Sequence, residues 1–121
     1  MAHGEKRKYI RWDSIHLLDY VVIEPDGSRG LYSMGRTLDV SLNGVKLETV
    51  YQLPADSELE ITVGIEQDLI DLTGRVTHTN SRGGRYVSGV EFVKMPAEGR
   101  RIFRLYAEAF KKHQDETPEA D

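Results

Sequence analysis

Two short stretches of the chain combine residue types that recognise anions and polar rings. The first has the pattern R-x-x-x-R, formed by Arg7 and Arg11. A guanidinium is planar and presents parallel N–H donors, so it can grip phosphate oxygens or the paired acceptors of a nucleobase edge. Lysine cannot form that planar fork. The pattern predicts an anion-binding arm, although a solvated charge cluster is the alternative for this stretch alone.

The second stretch, residues 39–44, has the pattern D-x-S-x-x-G. The Asp39 carboxylate accepts hydrogen bonds, whereas the Ser41 hydroxyl can donate or accept them. Gly44 lets the backbone approach a neighbour closely and tolerates a positive φ. The same residue types occur in ordinary tight turns. This stretch alone therefore predicts either a polar recognition loop or a turn.

Six segments with strand character would position these motifs. Their apolar and polar residues alternate, as on half-buried strands, and turn signals such as Asn43-Gly44 separate several of them. About six short strands joined in this way predict a mainly β protein, a six-stranded antiparallel barrel. The predicted strands cover residues 15–23, 31–40, 45–49, 58–65, 69–79 and 86–93.

The period of the apolar residues changes after Pro96. Helical spacing predicts a C-terminal helix whose apolar stripe covers an open face or end of the barrel. We therefore divide the chain into a basic arm over residues 1–13, a barrel with its helix over 14–113, and an acidic tail over 114–121 that we expect to be disordered. The stripe consists of Ile102, Leu105, Tyr106, Ala109 and Phe110.

The composition limits the classes of function. The chain has 121 residues, no cysteine and a net charge of -4, so it favours neither disulfides nor a general nucleic-acid or membrane partner. No apolar run could span a bilayer and no signal peptide is visible, so we expect a cytoplasmic protein. The sequence lacks the common catalytic motifs, which predicts that it is not an enzyme. The scattered positions of His3, His16, His78 and His113 predict no metal site.

The order and separation of the two motifs resemble the PilZ domain, a small β-barrel of the split-barrel type. Gly74-Arg75-Val76 and residues 86–92 are similar to later strands of that family. The resemblance covers about residues 5–113. It implies a bacterial receptor that binds cyclic di-GMP in second-messenger signalling, with this nucleotide as ligand rather than cofactor.

The resemblance also implies a set of ligand-binding residues. Arg7 and Arg11 would hold phosphate or guanine, and Asp39 would accept hydrogen bonds from guanine N1–H and N2–H. Ser41 would contact a base edge or phosphate, while Gly44 would allow close approach. Each further candidate has a structural alternative, such as a solvated lysine, a rim histidine or a tight strand crossing. These further candidates are Lys6, Asn43, His78 and Gly89.

The expected partners are cyclic di-GMP and an effector protein supplied in trans, with no nucleic acid and no membrane insertion. Ligand binding would change the conformation of the domain. One alternative is a PilZ-like scaffold that acts through protein contacts without nucleotide. A less favoured alternative is a barrel that binds single-stranded nucleic acid, which the acidic net charge opposes.

Overall fold

The computed structural model describes residues 17–65 and 67–116. Over these residues the chain forms six antiparallel strands and one helix. The strands close into a barrel in the order β1-β2-β3-β6-β5-β4, with β4 pairing back onto β1. The predicted fold class is confirmed. The elements are β1 (Leu17–Ile23), β2 (Arg29–Val40), β3 (Gly44–Thr49), β4 (Glu58–Ile65), β5 (Asp68–Arg82), β6 (Arg85–Lys94) and α1 (Ala97–Glu116).

The strands form where apolar residues alternate with polar ones. On β4, Leu59, Ile61 and Val63 are almost fully buried in the barrel, because successive side chains of a strand point to opposite faces. Val45 and Leu47 on β3 meet them in the same core. β3 and β4 therefore each contribute an apolar row to the interior, whereas β2 also exposes Leu31, Tyr32 and Met34 on its outer surface.

Two strands are longer than their alternation predicts. β2 begins at Arg29, because Arg29 still pairs with Ile23 of β1. β5 continues to Arg82, which pairs with Arg85 across a two-residue turn. That turn has Gly83 and Gly84 at φ of 57° and 85°, the left-handed conformation that glycine adopts without steric cost.

The helix covers one end of the barrel. Ile102, Phe103 and Tyr106 are buried, and the Phe103 ring meets the Phe92 ring edge-on at 4.9 Å between centroids. Phe103 and Tyr106 share an interior space with Val40 and Val45, which flank the β2–β3 loop. The helix therefore closes the barrel at the end where this loop lies.

The helix reaches Glu116, so residues 114–116 are helical rather than part of the predicted tail. The predicted arm over residues 1–13 and the remaining tail over 117–121 lie outside the described residues. Within the part of the chain that the structure describes, no helix is long and apolar enough to span a bilayer.

Candidate functional site

The D-x-S-x-x-G stretch forms the hairpin between β2 and β3. β2 ends at Val40, β3 begins at Gly44, and residues 41–43 form the loop between them. The Ser41 backbone N–H donates to the Gly44 carbonyl at 2.9 Å. The Ser41 hydroxyl donates to the same carbonyl at 3.3 Å and accepts from the Asn43 N–H at 3.3 Å. The Ser41 side chain therefore helps to shape the loop.

The Asp39 side chain is exposed at the end of β2. Its Oδ1 accepts from the Val40 N–H at 2.9 Å. Among the described residues no other group hydrogen-bonds this carboxylate, and none forms an ion pair with it. Because a carboxylate can accept several hydrogen bonds, Asp39 keeps acceptor capacity for a ligand.

Gly44 allows a close approach between two strands. A Cβ at this position would collide with the Val90 carbonyl oxygen of β6. The backbone of Gly44 does not adopt a positive φ. The close approach of the strands, and not the tolerance of a positive φ, therefore explains the glycine at this position. The glycine brings the loop against β6, where the Phe92 N–H donates to the Asn43 carbonyl at 2.8 Å.

A row of residues crosses four strands beside the loop. Asp39 on β2 pairs in register with Lys46 on β3, Lys46 pairs with Gly89 on β6, and Gly89 pairs with His78 on β5. Sequence reasoning did not select Lys46. The alternation on β3 indicated that the Lys46 side chain points outward. The neighbouring sequence, however, does not indicate the strand order that places Lys46 between Asp39 and Gly89.

Gly89 accommodates the His78 side chain. A Cβ on Gly89 would collide with the His78 ring and would lie 2.9 Å from the Thr77 hydroxyl. Thr77 Oγ1 and His78 Nδ1 are 3.1 Å apart, and Thr77 Oγ1 also donates to the Gly89 carbonyl at 3.2 Å. The structure therefore shows Gly89 packed closely against side chains of the neighbouring strand, with the exposed His78 ring beside it.

An open cavity of about 340 Å³ lies against this row. It brings five of the predicted residues together, while His78 lies next to Gly89 outside the lining. Of the three charged lining residues, Glu91 pairs with Arg75 at 3.0 Å, and Lys46 has no ion pair within the described residues. The lining consists of Asp39, Val40, Ser41, Asn43, Gly44, Val45, Lys46, Thr77, Gly89, Val90 and Glu91.

Three predicted ligand residues are not placed by the structure. Lys6, Arg7 and Arg11 lie outside the described residues, so their contribution stays a prediction. Across residues 17–65 and 67–116, no group of three acidic or histidine side chains could hold a metal ion.

A comparison of the chain with models of protein families identifies its family. The family model described as PilZ domain matches residues 5–109. The chain belongs to the PilZ domain family. PilZ domains are a cyclic di-GMP-binding family of receptor modules rather than enzymes, and both motifs of this chain lie inside the matched range.

Solved structures support the same fold. Two structures of MrkH from K. pneumonia, one of them in its apo state, are similar to this PilZ domain with a TM-score of 0.59 and 13% sequence identity. The similarity covers 96% of this chain, which spans 53% and 55% of the two MrkH chains. A search of the curated proteins found no match.

Proposed function

We propose that this PilZ domain is a receptor for cyclic di-GMP, that the nucleotide binds in the cavity beside the β2–β3 loop, and that the domain signals to an effector protein. The observation that carries the proposal is the convergence of Asp39, Asn43 and Gly89 on one open cavity, although they come from β2, the loop and β6. In this proposal the domain binds the nucleotide and catalyses no reaction.

The base-recognition step is assigned to Asp39. Guanine N1–H and N2–H are adjacent donors, and a carboxylate is the side chain suited to accept from both. Asp39 is exposed, and among the described residues its carboxylate accepts one hydrogen bond, from the neighbouring Val40 N–H. Ser41 is engaged by its own loop, so its hydroxyl contributes mainly by fixing the geometry around Asp39.

The phosphates require positive charge. Cyclic di-GMP carries two anionic phosphates, whereas the cavity has one cationic lining residue, Lys46. The proposal therefore assigns the remaining charge to the arm, where Arg7 and Arg11 provide guanidinium forks for phosphate or guanine. Lys6 would add a further cation to the same arm.

His78 and Gly89 suit the flat face of a base. Gly89 carries no side chain, and the exposed His78 ring lies against it. Aromatic rings, including imidazole, stack on nucleobases. We therefore place one guanine against the outer face of the His78 ring, beside Gly89.

Calorimetric titration tests the proposal directly. The wild-type chain should bind cyclic di-GMP with measurable heat and should bind cyclic di-AMP at least tenfold more weakly, because adenine lacks the N1–H and N2–H donor pair. Absence of binding to cyclic di-GMP would support the alternative of a scaffold that works through protein contacts alone.

Amide exchange tests the proposed conformational change. If Arg7 and Arg11 contact the ligand, the amides of residues 5–11 should exchange more slowly once cyclic di-GMP is bound. Equal exchange with and without ligand would exclude the arm from the binding step while leaving the cavity itself open to test.

A further inference from the structure

A second, smaller cavity lies between the β2–β3 loop and the helix. Its volume is about 140 Å³, and Leu42 and Asn43 of the loop face Arg100 and Arg104 of α1 across it. Asn43 lines this cavity and also the larger one beside Asp39. The two cavities therefore adjoin at Asn43.

Arg100 and Arg104 are available to bind an anion. They stand four residues apart on α1, a spacing that places both side chains on one face, and both are exposed. Neither forms a side-chain ion pair or hydrogen bond with any described residue. The adjacent Arg101, by contrast, is paired with Glu98 at 2.6 Å.

Helix stability does not account for Arg100. It lies in the first turns of α1, where the helix dipole favours negative rather than positive side chains. Arg101 in the same region is offset by Glu98, whereas Arg100 has no such compensation among the described residues. An unpaired cation in this position fits recognition of an anion better than stabilisation of the helix.

We propose that Arg100 and Arg104, together with the Asn43 side-chain amide, form a phosphate subsite of the cyclic di-GMP site. The inference rests on the proposed function and extends it from the loop to the helix. Guanidinium forks bind phosphate oxygens in pairs, and the Asn43 amide adds N–H donors. The cavity has the volume of about four to five water molecules, which leaves room for a phosphate group.

The charge of the ligand is compatible with this subsite. The larger cavity is lined by one cation, Lys46. Arg100 and Arg104 line the adjoining cavity and would act on the phosphates in addition to the arginines proposed for the arm. The buried Phe103 side chain lines the small cavity beside the exposed Arg100 and Arg104.

A double variant with a matched control tests the subsite. Arg100→Gln/Arg104→Gln should weaken cyclic di-GMP binding about tenfold or more in calorimetry, the range for loss of charged hydrogen bonds. Arg101→Gln removes the same charge from the same helical turn but does not line the cavity, so it should change affinity less than about twofold. The fitted stoichiometry then separates two sources: an unchanged ratio indicates a phosphate of the same molecule, and a reduced ratio indicates a second molecule.

A second measurement separates failure of the subsite from failure of the proposed function. Inorganic pyrophosphate should shift the Arg100 and Arg104 Nε–H resonances of the wild-type chain more than that of Arg101. If cyclic di-GMP does not bind but pyrophosphate causes these shifts, the proposed function falls and the anion site stands. The subsite is overturned if the double variant binds cyclic di-GMP like wild type, if Arg101→Gln loses as much affinity, or if cyclic di-GMP does not bind and pyrophosphate shifts neither arginine selectively.

Discussion

Asp39 and Ser41 stand in the same short motif but have different tasks. Ser41 donates and accepts within the loop, to Gly44 and from Asn43. Asp39 makes one contact, with the Val40 N–H that follows it. Base selection should therefore depend on Asp39, whereas loss of the Ser41 hydroxyl should act mainly through the shape of the loop.

Asp39→Ala should reduce affinity for cyclic di-GMP by about 10- to 150-fold, the range for a hydrogen bond to a charged group. It should also erode the preference over cyclic di-AMP, since the remaining carboxylate of the cavity lining, that of Glu91, is paired with Arg75. The free energy of unfolding should change by less than about 1 kcal/mol, because the side chain is exposed. Calorimetry with both nucleotides and urea unfolding measure these quantities.

The alternative role for Asp39 gives the opposite pattern. If the carboxylate only caps the turn through Val40, stability should fall by about 0.5–2 kcal/mol while the preference for guanine persists. That combination of results would remove Asp39 from recognition and leave the arginines of the arm as the main determinants.

Lys46→Met should weaken cyclic di-GMP binding several-fold to tenfold, because it removes the unpaired cation of the larger cavity. Methionine keeps much of the apolar stem, so the fold should be unaffected. Lys112→Met is the control, since Lys112 is an exposed lysine near the end of α1. Equal affinity of both variants and wild type would show that Lys46 does not contact a phosphate.

At the scale of the strands, the close contact between β3 and β6 depends on Gly44. Gly44→Ala would press a methyl group against the Val90 carbonyl, and such overpacking costs about 1–3 kcal/mol. Gly64→Ala on β4 is the matched control, because its Cβ would meet Leu69 at 3.6 Å, an ordinary contact. Urea unfolding should show a loss for Gly44→Ala and little change or a gain for Gly64→Ala. A similar cost at both sites would contradict the close-approach explanation.

Tyr20 of β1 gives the barrel a dependence on alkaline pH. Burial raises the pKa of its hydroxyl, and the nearby Ser33 side chain offsets part of this rise. The folded state therefore favours the protonated form, so this contribution to stability is present below about pH 10, the unfolded value, and is lost as the pH rises beyond it.

Tyr20→Phe should therefore flatten the loss of stability above about pH 10. At pH 7 the change should lie within about 1 kcal/mol, because the Tyr20 hydroxyl has no well-formed hydrogen bond in the described part of the chain. Urea unfolding at pH 7 to 11 measures both, with Tyr86→Phe as the control. A Tyr20→Phe variant as alkali-sensitive as wild type would rule out this origin.

The elements were largely predictable because most strands show a local alternation of apolar and polar residues. Leu59, Ile61 and Val63 predict β4, and the Gly83-Gly84 pair predicts the β5–β6 turn. The strand order was not predictable in this way. Pairing of β3 with β6 joins residues distant in sequence, so the position of Lys46 beside Gly89 and the helix arginines beside Asn43 could be found only from the folded chain.

At the scale of the whole molecule, the barrel and the helix form one core. Phe103 contacts Phe92 and Tyr106 edge-on, at 4.9 Å and 5.7 Å between ring centroids, and it is almost fully buried. Because Phe103 also lines the small cavity against the loop, the same ring serves the core and the site.

Phe103→Ala should lower the free energy of unfolding by about 3–5 kcal/mol, the usual cost of a buried phenylalanine. Phe103→Leu, which preserves most of the volume, should cost less than about 1.5 kcal/mol. Urea unfolding followed by circular dichroism compares them in one cooperative transition. A loss below about 1 kcal/mol for Phe103→Ala would show that the helix is not part of the barrel core.

The closed ring of strands limits how a protein partner could recognise this domain. Every described strand has a neighbour on both sides, but residues 29–35 of β2 pair only with β1, and residues 77–82 of β5 pair only with β6. A partner that adds a strand of its own, the common mode known as β-augmentation, would have to use such a stretch that is paired on one side. Elsewhere on the barrel, a partner would be recognised through side chains of the outer face, the loops and the helix, some of which line the cavities proposed for the nucleotide.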